Sequence, residues 1–196
     1  MSLSQLTPPT VEPITVAEAK NHLRIDADIT QDDTLIALLI GAARRFAEMK
    51  TGRSFITQQW RRTLDAFPCY GGAVVLERGP VQAITSVSYQ DMTGAWQVMP
   101  AEDYVADIAG SPERIALAFG RIWPIALPQL ASVRVDYRAG FGDDAAAVPE
   151  GIRQWMLLRL TTLYEHREEA EVISRGRLEP MPFVDGLLDP YTVTLI

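Results

Sequence analysis

The spacing of apolar residues changes twice along this chain, and that change limits the folds it can adopt. Before about residue 56, and again after Pro149, apolar residues recur at helical spacing. Between these regions, short alternating runs are punctuated by Gly and Pro. Helical spacing indicates amphipathic helices and alternation indicates strands. The sequence therefore predicts an α+β fold, in which a small helical bundle with three main helices carries an inserted, mostly antiparallel β unit.

The first two helices are marked by signals at their ends. Thr15 and Glu18 have the spacing of a capping box, which predicts a short helix as far as about Arg24. Acidic residues, which favour a helix N-terminus, precede a second apolar stripe. This stripe predicts a helix over about 32–51, and Gly52 is suited to terminate it.

The third helix begins at a proline and follows the β region. Pro149 suits the first turn of a helix over about 149–169. Within the β region, the segment Asp91–Gly94 separates two alternating runs and predicts a hairpin turn. The predicted segments are an irregular N-terminal arm at 1–14, a helical core at 15–55 and 140–175, a β insertion at 56–139 and an apolar docking tail at 176–196.

The third helix and the tail carry more apolar surface than one small domain is expected to cover. Leu157 widens the apolar arc of the helix beyond one face, and such a helix must meet more than one neighbour. The tail is too apolar for a solvated disordered segment, so we expect it to dock either on its own domain or on a partner. We therefore expect partner or subunit contacts from Trp155, Tyr164, Phe183, Leu187, Leu188, Pro190 and Tyr191.

Composition excludes several classes of protein. The net charge of −7 over 196 residues disfavours wrapping nucleic acid, which requires clustered Lys and Arg. The single cysteine, Cys69, rules out an internal disulfide and a cysteine-based zinc site. No signal peptide is expected, and the longest apolar run, Leu35–Ala43, is far shorter than the roughly twenty residues of a membrane span.

A local group of arginines leaves two interpretations open. Arg44, Arg45 and Arg53, with Arg61 and Arg62 nearby in sequence, surround the end of the second predicted helix. They are expected either to form salt bridges on a solvated or subunit surface, or to face DNA in a channel.

Two motifs resemble ligand sites but fail in detail. Asp26, Asp28, Thr30 and Asp32 are spaced like the start of a calcium loop, yet its sixth position is Gln31 instead of Gly and its twelfth is Ala37 instead of Glu. Gly140–Ala145 matches G-x-G-x-x-A, but the helix begins too late to receive a phosphate. We interpret the first as helix-capping acids and the second as a flexible turn. No catalytic, metal-binding or cofactor-binding residue is predicted, and no cofactor.

Six parts of the chain form an ordered pattern: Val16–Asp26, Asp32–Ile36 with Thr51–Arg53, Tyr137–Gly142, Val148–Pro149, Tyr164–Glu168 and Gly186–Tyr191. In this order they resemble the head–tail connector proteins of long-tailed bacteriophages. No segment is diagnostic alone, but the order is specific and spans nearly the whole chain. The β insertion resembles the larger members of that family, whereas Thr192 stands where the family usually has a basic residue.

The resemblance implies a structural adaptor of a phage or prophage, and not an enzyme. Such proteins form a ring, commonly twelvefold, beneath the portal protein. The ring passes DNA through its centre without specific binding and receives a tail component or a second connector. The implied location is the virion neck, assembled in the host bacterial cytoplasm, with no membrane contact. The alternatives are a small soluble enzyme, whose reactive residues would line a cleft, and a DNA-binding accessory protein that uses the arginine group.

Overall fold

The computed structural model describes residues 2–69, 71–165 and 182–193. The described part of the chain contains four α-helices and eight β-strands. The helices are α1 (Val16–Leu23), α2 (Asp33–Thr51), α3 (Glu150–Glu165) and α4 (Pro182–Gly186). The strands are β1 (Ser2–Thr7), β2 (Gln58–Leu64), β3 (Val74–Val75), β4 (Val81–Gln90), β5 (Trp96–Val98), β6 (Tyr104–Asp107), β7 (Arg114–Leu117) and β8 (Val133–Ala139). The predicted α+β class is confirmed.

The chain divides into two compact units. The β unit contains residues 2–10, Gly52–Phe141 and Val193, and the helical unit contains Val11–Thr51 with the described residues of Gly142–Thr192.

The β unit contains two antiparallel sheets, one of five strands in the order β1-β2-β8-β4-β5 and one of three in the order β3-β7-β6. Alternate residues of β8, namely Val133, Val135 and Tyr137, are fully buried, as expected for a central strand. They share a core with Val74 of β3 and Ile115 of β7. The predicted hairpin is confirmed, because β4 and β5 pair on either side of the turn.

The N-terminal segment differs from the expected irregular arm. Residues Ser2–Thr7 form β1, an edge strand paired with β2. The register shifts between Gln5 and Thr7, so the segment contains a bulge, and strict alternation of apolar residues is lost there. The prolines that suggested an arm, Pro8 and Pro9, begin only after the strand has ended.

The helical unit is built around α1, α2 and α3. The predicted capping box is confirmed, because the Thr15 hydroxyl accepts a hydrogen bond from the Glu18 amide at 3.1 Å and Glu18 accepts one from the Thr15 amide at 2.7 Å. Helix α2 begins one residue later than predicted and ends at Thr51, with Gly52 in the left-handed conformation. Helix α3 is described as far as Glu165, so the end predicted near residue 169 lies outside the described residues.

No helix in the described ranges is both long and apolar enough to cross a membrane.

Candidate assembly surfaces

Helix α3 is covered by the tail of its own chain. Trp155 is buried, its ring stacks on that of Phe46 with a centroid separation of 5.9 Å, and its indole Nε1 donates to Asp185 in α4 at 3.1 Å. Leu188, just after α4, is completely buried. Trp155 and Leu188 thus already pack inside the helical unit, and their contact with a partner stays a prediction.

The other predicted contact residues are divided between surface and interior. Pro190 is exposed, whereas Leu187 and Tyr191 are half-buried. Tyr164 is also half-buried and donates its hydroxyl hydrogen to the Asp32 carboxylate. The side chain of Phe183 lies outside the described residues. The five-residue helix α4 and the turn after it thus belong to the packing of α3, and the sequence pattern indicated that the tail docks without indicating where.

An ion pair links the tail to α2. The Lys50 ammonium lies 2.5 Å from a carboxylate oxygen of Asp185, whose other oxygen accepts from Trp155. The hydrogen bond from Lys50 lowers the pKa of Asp185 below its ordinary value of 3.8, and the Trp155 hydrogen bond acts in the same direction. The ionised Asp185 carboxylate therefore stabilises the packing of α4 against α2 and α3 at neutral pH.

Replacing Asp185 with asparagine is expected to destabilise the protein at neutral pH by less than about 1 kcal/mol, because the pair is partly solvated. The folded chain binds the Asp185 proton less tightly than the unfolded chain. The stabilisation is therefore present above pH 3.8 and is lost as pH falls through the lower folded-state pKa. Urea unfolding at several pH values should show the two proteins converging in acid. A difference that stays constant with pH would contradict this role for the carboxylate.

The three arginines proposed for a channel or for salt bridges have different environments. Arg44 is buried and ion-paired, Arg45 is exposed, and Arg53 lies 3.7 Å from the carboxylate of Glu113. A buried guanidinium cannot face a channel, so salt bridging is the role that the structure supports for Arg44. Within the helical unit, Arg44 and Arg45 therefore do not form a shared exposed basic surface, and Arg53 belongs to the β unit.

The turn that resembles the start of a calcium loop is organised by a lysine. The buried Lys20 ammonium donates to the carbonyl oxygens of Ala27 at 3.0 Å and Ile29 at 2.7 Å, and it lies 3.0 Å from the Asp33 carboxylate. The turn is thus held together by an ammonium group that contacts two backbone carbonyls and a carboxylate. Among the described residues, no group of three or more His, Cys, Asp or Glu is arranged to hold a metal ion.

A shallow apolar cavity of about 390 Å³ lies in the helical unit between the start of the unit, α2 and the segment before α3. Its polar side chains are engaged within the chain: Glu12 pairs with Arg44, Thr15 caps α1, and Asp144 accepts from the Ala147 amide. The cavity therefore offers an apolar lining without converging reactive groups. His22 and Cys69 are exposed and lie outside this lining, and His166 lies outside the described residues.

Both units carry large apolar side chains that are exposed to solvent, and the sequence analysis did not identify them as contact residues. In the helical unit, Leu38 and Met49 of α2 are about two-thirds exposed. In the β unit, the segment 118–132 between β7 and β8 presents four apolar side chains almost fully to solvent: Phe119, Ile122, Ile125 and Leu130. Strand β7 ends at Leu117, so Phe119 lies just beyond the strand. The sequence feature that could have indicated this exposed segment is an apolar run interrupted by Pro124 and Pro128.

Residues 13–94 match the family model described as "Phage gp6-like head-tail connector protein". No curated protein matches the chain. Three solved structures are similar over the full length of this chain and 97% of the other chain. They are the neck of an empty gene transfer agent (GTA) particle computed with C6 symmetry (26% identity, TM-score 0.80), the virion of a native GTA particle (24%, 0.80) and the neck of a native GTA particle computed with C12 symmetry (26%, 0.75). In sequence, the family match covers α1, α2 and strands β2 to β4, whereas the structural similarity extends over the whole chain. The chain is therefore similar to phage head–tail connector proteins over residues 13–94, and its fold is similar to that of chains in GTA necks.

Proposed function

We propose that this chain is a structural subunit of the neck of a phage or phage-like particle, and that it forms a closed ring joining the head to the tail. The observation that carries the proposal is the full-length similarity to chains in GTA necks computed with C6 and C12 symmetry. Cyclic symmetry requires each subunit to contact its two neighbours through two different surfaces. Exposed apolar side chains in both units are available for such contacts.

Within this role, the ring sits beneath the portal protein and receives a second connector or a tail component. DNA passes through the channel without specific binding. The net charge of −7 supports this, because an acidic subunit lacks the phosphate-neutralising surface that would retain DNA. The burial of Arg44 in an ion-paired cluster removes one of the three arginines that favoured a DNA-binding function. The role is structural and requires no catalytic step.

The proposal is tested by assembly on a portal ring. The full chain, mixed with the portal protein of its own particle, should form closed rings of defined symmetry that are visible by electron microscopy and by native mass spectrometry. The chain alone serves as the control for templating, since a subunit can remain monomeric until the portal organises it. A chain that forms no ring alone and also fails to bind the portal would overturn the proposal.

The absence of DNA retention is a separate expectation. At physiological salt, the ring should bind double-stranded DNA no more tightly than about 10⁻⁴ M, the weak end of non-specific protein–DNA binding. Fluorescence anisotropy over a salt series checks this. Micromolar binding with a steep salt dependence would favour the DNA-binding accessory function instead.

A further inference from the structure

The segment 118–132, here termed the β7–β8 loop, is anchored to the β unit through residues in its middle. The Trp123 ring stacks on that of Phe67, with centroids 4.7 Å apart and planes within 10° of parallel. Its indole donates to the Gly72 carbonyl at 3.4 Å, and the Leu127 amide donates to the Gln90 carbonyl at 2.8 Å. These contacts attach the middle of the loop to the β unit. The exposed side chains therefore project from an anchored segment, and not from an unrestrained one.

The apolar side chains of this loop are unusually exposed. Phe119, Ile122, Ile125 and Leu130 have relative exposures from 79% to 106%. Each of these side chains is large and apolar, and exposed apolar surface of this kind on a monomer is often functional. A standard interface buries about 800 Å² on each partner. The loop can therefore supply apolar anchors to a specific interface, with surrounding residues completing the area.

The charge of the loop indicates what kind of surface it meets. Arg121 is the only charged residue among positions 118–132, and it lies 3.1 Å from the Asp103 carboxylate within the same unit. Each copy of the chain carries a net charge of −7, so two copies repel each other at long range. Contact between copies is favoured where each presents an uncharged, apolar surface. The β7–β8 loop is such a surface, whereas an oppositely charged partner would be recognised by charged side chains.

We propose that the β7–β8 loop is a subunit contact of the ring, and that Phe119 and Ile122 insert against an apolar surface of the adjacent copy of this chain. This inference rests on the proposed ring. A cyclic ring is built from one heterologous contact repeated around the axis, so the loop of each copy meets a different surface on the next. Aromatic and large aliphatic side chains at the centre of an interface carry most of its binding energy. The loop supplies both kinds on a fixed base.

A paired set of variants tests the contact. Phe119→Ser with Ile122→Ser is expected to raise the concentration needed for ring closure on the portal by about 100-fold or more, as expected when two central anchors are truncated. Met92→Ser with Val98→Ser removes exposed apolar side chains from the same unit and should leave ring closure unchanged. Circular dichroism and thermal unfolding should be the same for both variants and the parent chain. A loop variant that closes rings as readily as the parent would overturn the proposal.

A photo-crosslinking residue at position 119 identifies the occupant. Irradiation of assembled necks is expected to give covalent dimers and higher multimers of this chain, with the acceptor peptide found by mass spectrometry. Crosslinks exclusively to another neck protein, or to a lipid, would overturn the assignment to a second copy while leaving the connector function intact. If the parent chain forms no ring and does not bind the portal, it is the proposed function that fails, so the two failures are distinguishable.

Discussion

Replacing Gly140 with alanine is expected to lower the free energy of unfolding by about 4 kcal/mol. Gly140 follows β8 with φ of 144°, a backbone conformation that L side chains rarely adopt. Its amide donates to the Pro80 carbonyl at 2.9 Å, and its carbonyl accepts from the Gln82 side chain at 2.9 Å. A β-carbon would lie 2.6 Å from backbone atoms of Ile56 and Thr57. Because these are backbone atoms of a buried segment, they cannot move aside as a flexible side chain would.

Gly94 provides the matched control for this substitution. It also has a positive φ, of 85°, but a β-carbon there would meet nothing within 4 Å. Gly94→Ala therefore isolates conformational strain and should cost about 1 kcal/mol. Urea unfolding of both variants separates the steric contribution from the conformational one. Equal losses at the two positions would show that the close approach at Gly140 is not what requires glycine.

This glycine also shows where sequence interpretation reaches its limit. The motif that begins at Gly140 suggested a flexible turn, because glycine is permissive in any loop. In the folded chain, Gly140 is instead tightly constrained by the segment at Ile56, more than eighty positions earlier. A pattern in one stretch of sequence cannot reveal which distant backbone will approach it. From sequence alone, Gly140 is compatible both with a flexible turn and with a tightly constrained position, and only the contact with the segment at Ile56 distinguishes them.

Local features were predictable, because the interacting groups are close in sequence. The capping box at Thr15, the end of α2 at Gly52 and the hairpin turn at Asp91–Gly94 each depend on residues within one turn of chain. Strand β1 was missed because its evidence is a partner, β2, that lies more than fifty positions away, and because a bulge disrupts its alternation.

The assembly surface was only partly predictable for a related reason. Apolar composition predicts that the tail docks on its own domain or on a partner, and Leu188 is covered by its own chain. Conversely, Phe119 belongs to an apolar run that begins in β7, yet the strand ends at Leu117 and the Phe119 side chain is exposed. The hydrophobicity of a segment indicates how much apolar surface must be covered by other protein atoms. Whether those atoms belong to the same chain or to another depends on tertiary packing, which the sequence pattern does not contain.

Replacing Arg44 with alanine is expected to destabilise the protein by about 3–5 kcal/mol, the cost of leaving a buried charge without its partner. The Arg44 Nε donates to Glu12 at 2.7 Å, and its guanidinium also donates to Glu48 at 2.8 Å. Burial alone would lower the pKa of Arg44, but the hydrogen bond and charge interactions with Glu12 and Glu48 outweigh it and raise the pKa. The arginine thus stays charged, and its removal leaves the buried Glu48 carboxylate uncompensated.

Arg45 is the natural control, because it is adjacent in sequence and exposed. Arg45→Ala should change the free energy of unfolding by no more than about 0.5 kcal/mol. If Arg44 instead acted on DNA in a channel, its loss would leave folding unchanged and alter only DNA passage. A further variant distinguishes charge from packing: Arg44→Met with Glu48→Leu should recover much of the lost stability, because an apolar pair can replace a buried ion pair at little cost. Recovery would show that Arg44 compensates the charge of Glu48, and a double variant as unstable as Arg44→Ala would show that the guanidinium is required for its shape and its hydrogen bond to Glu12.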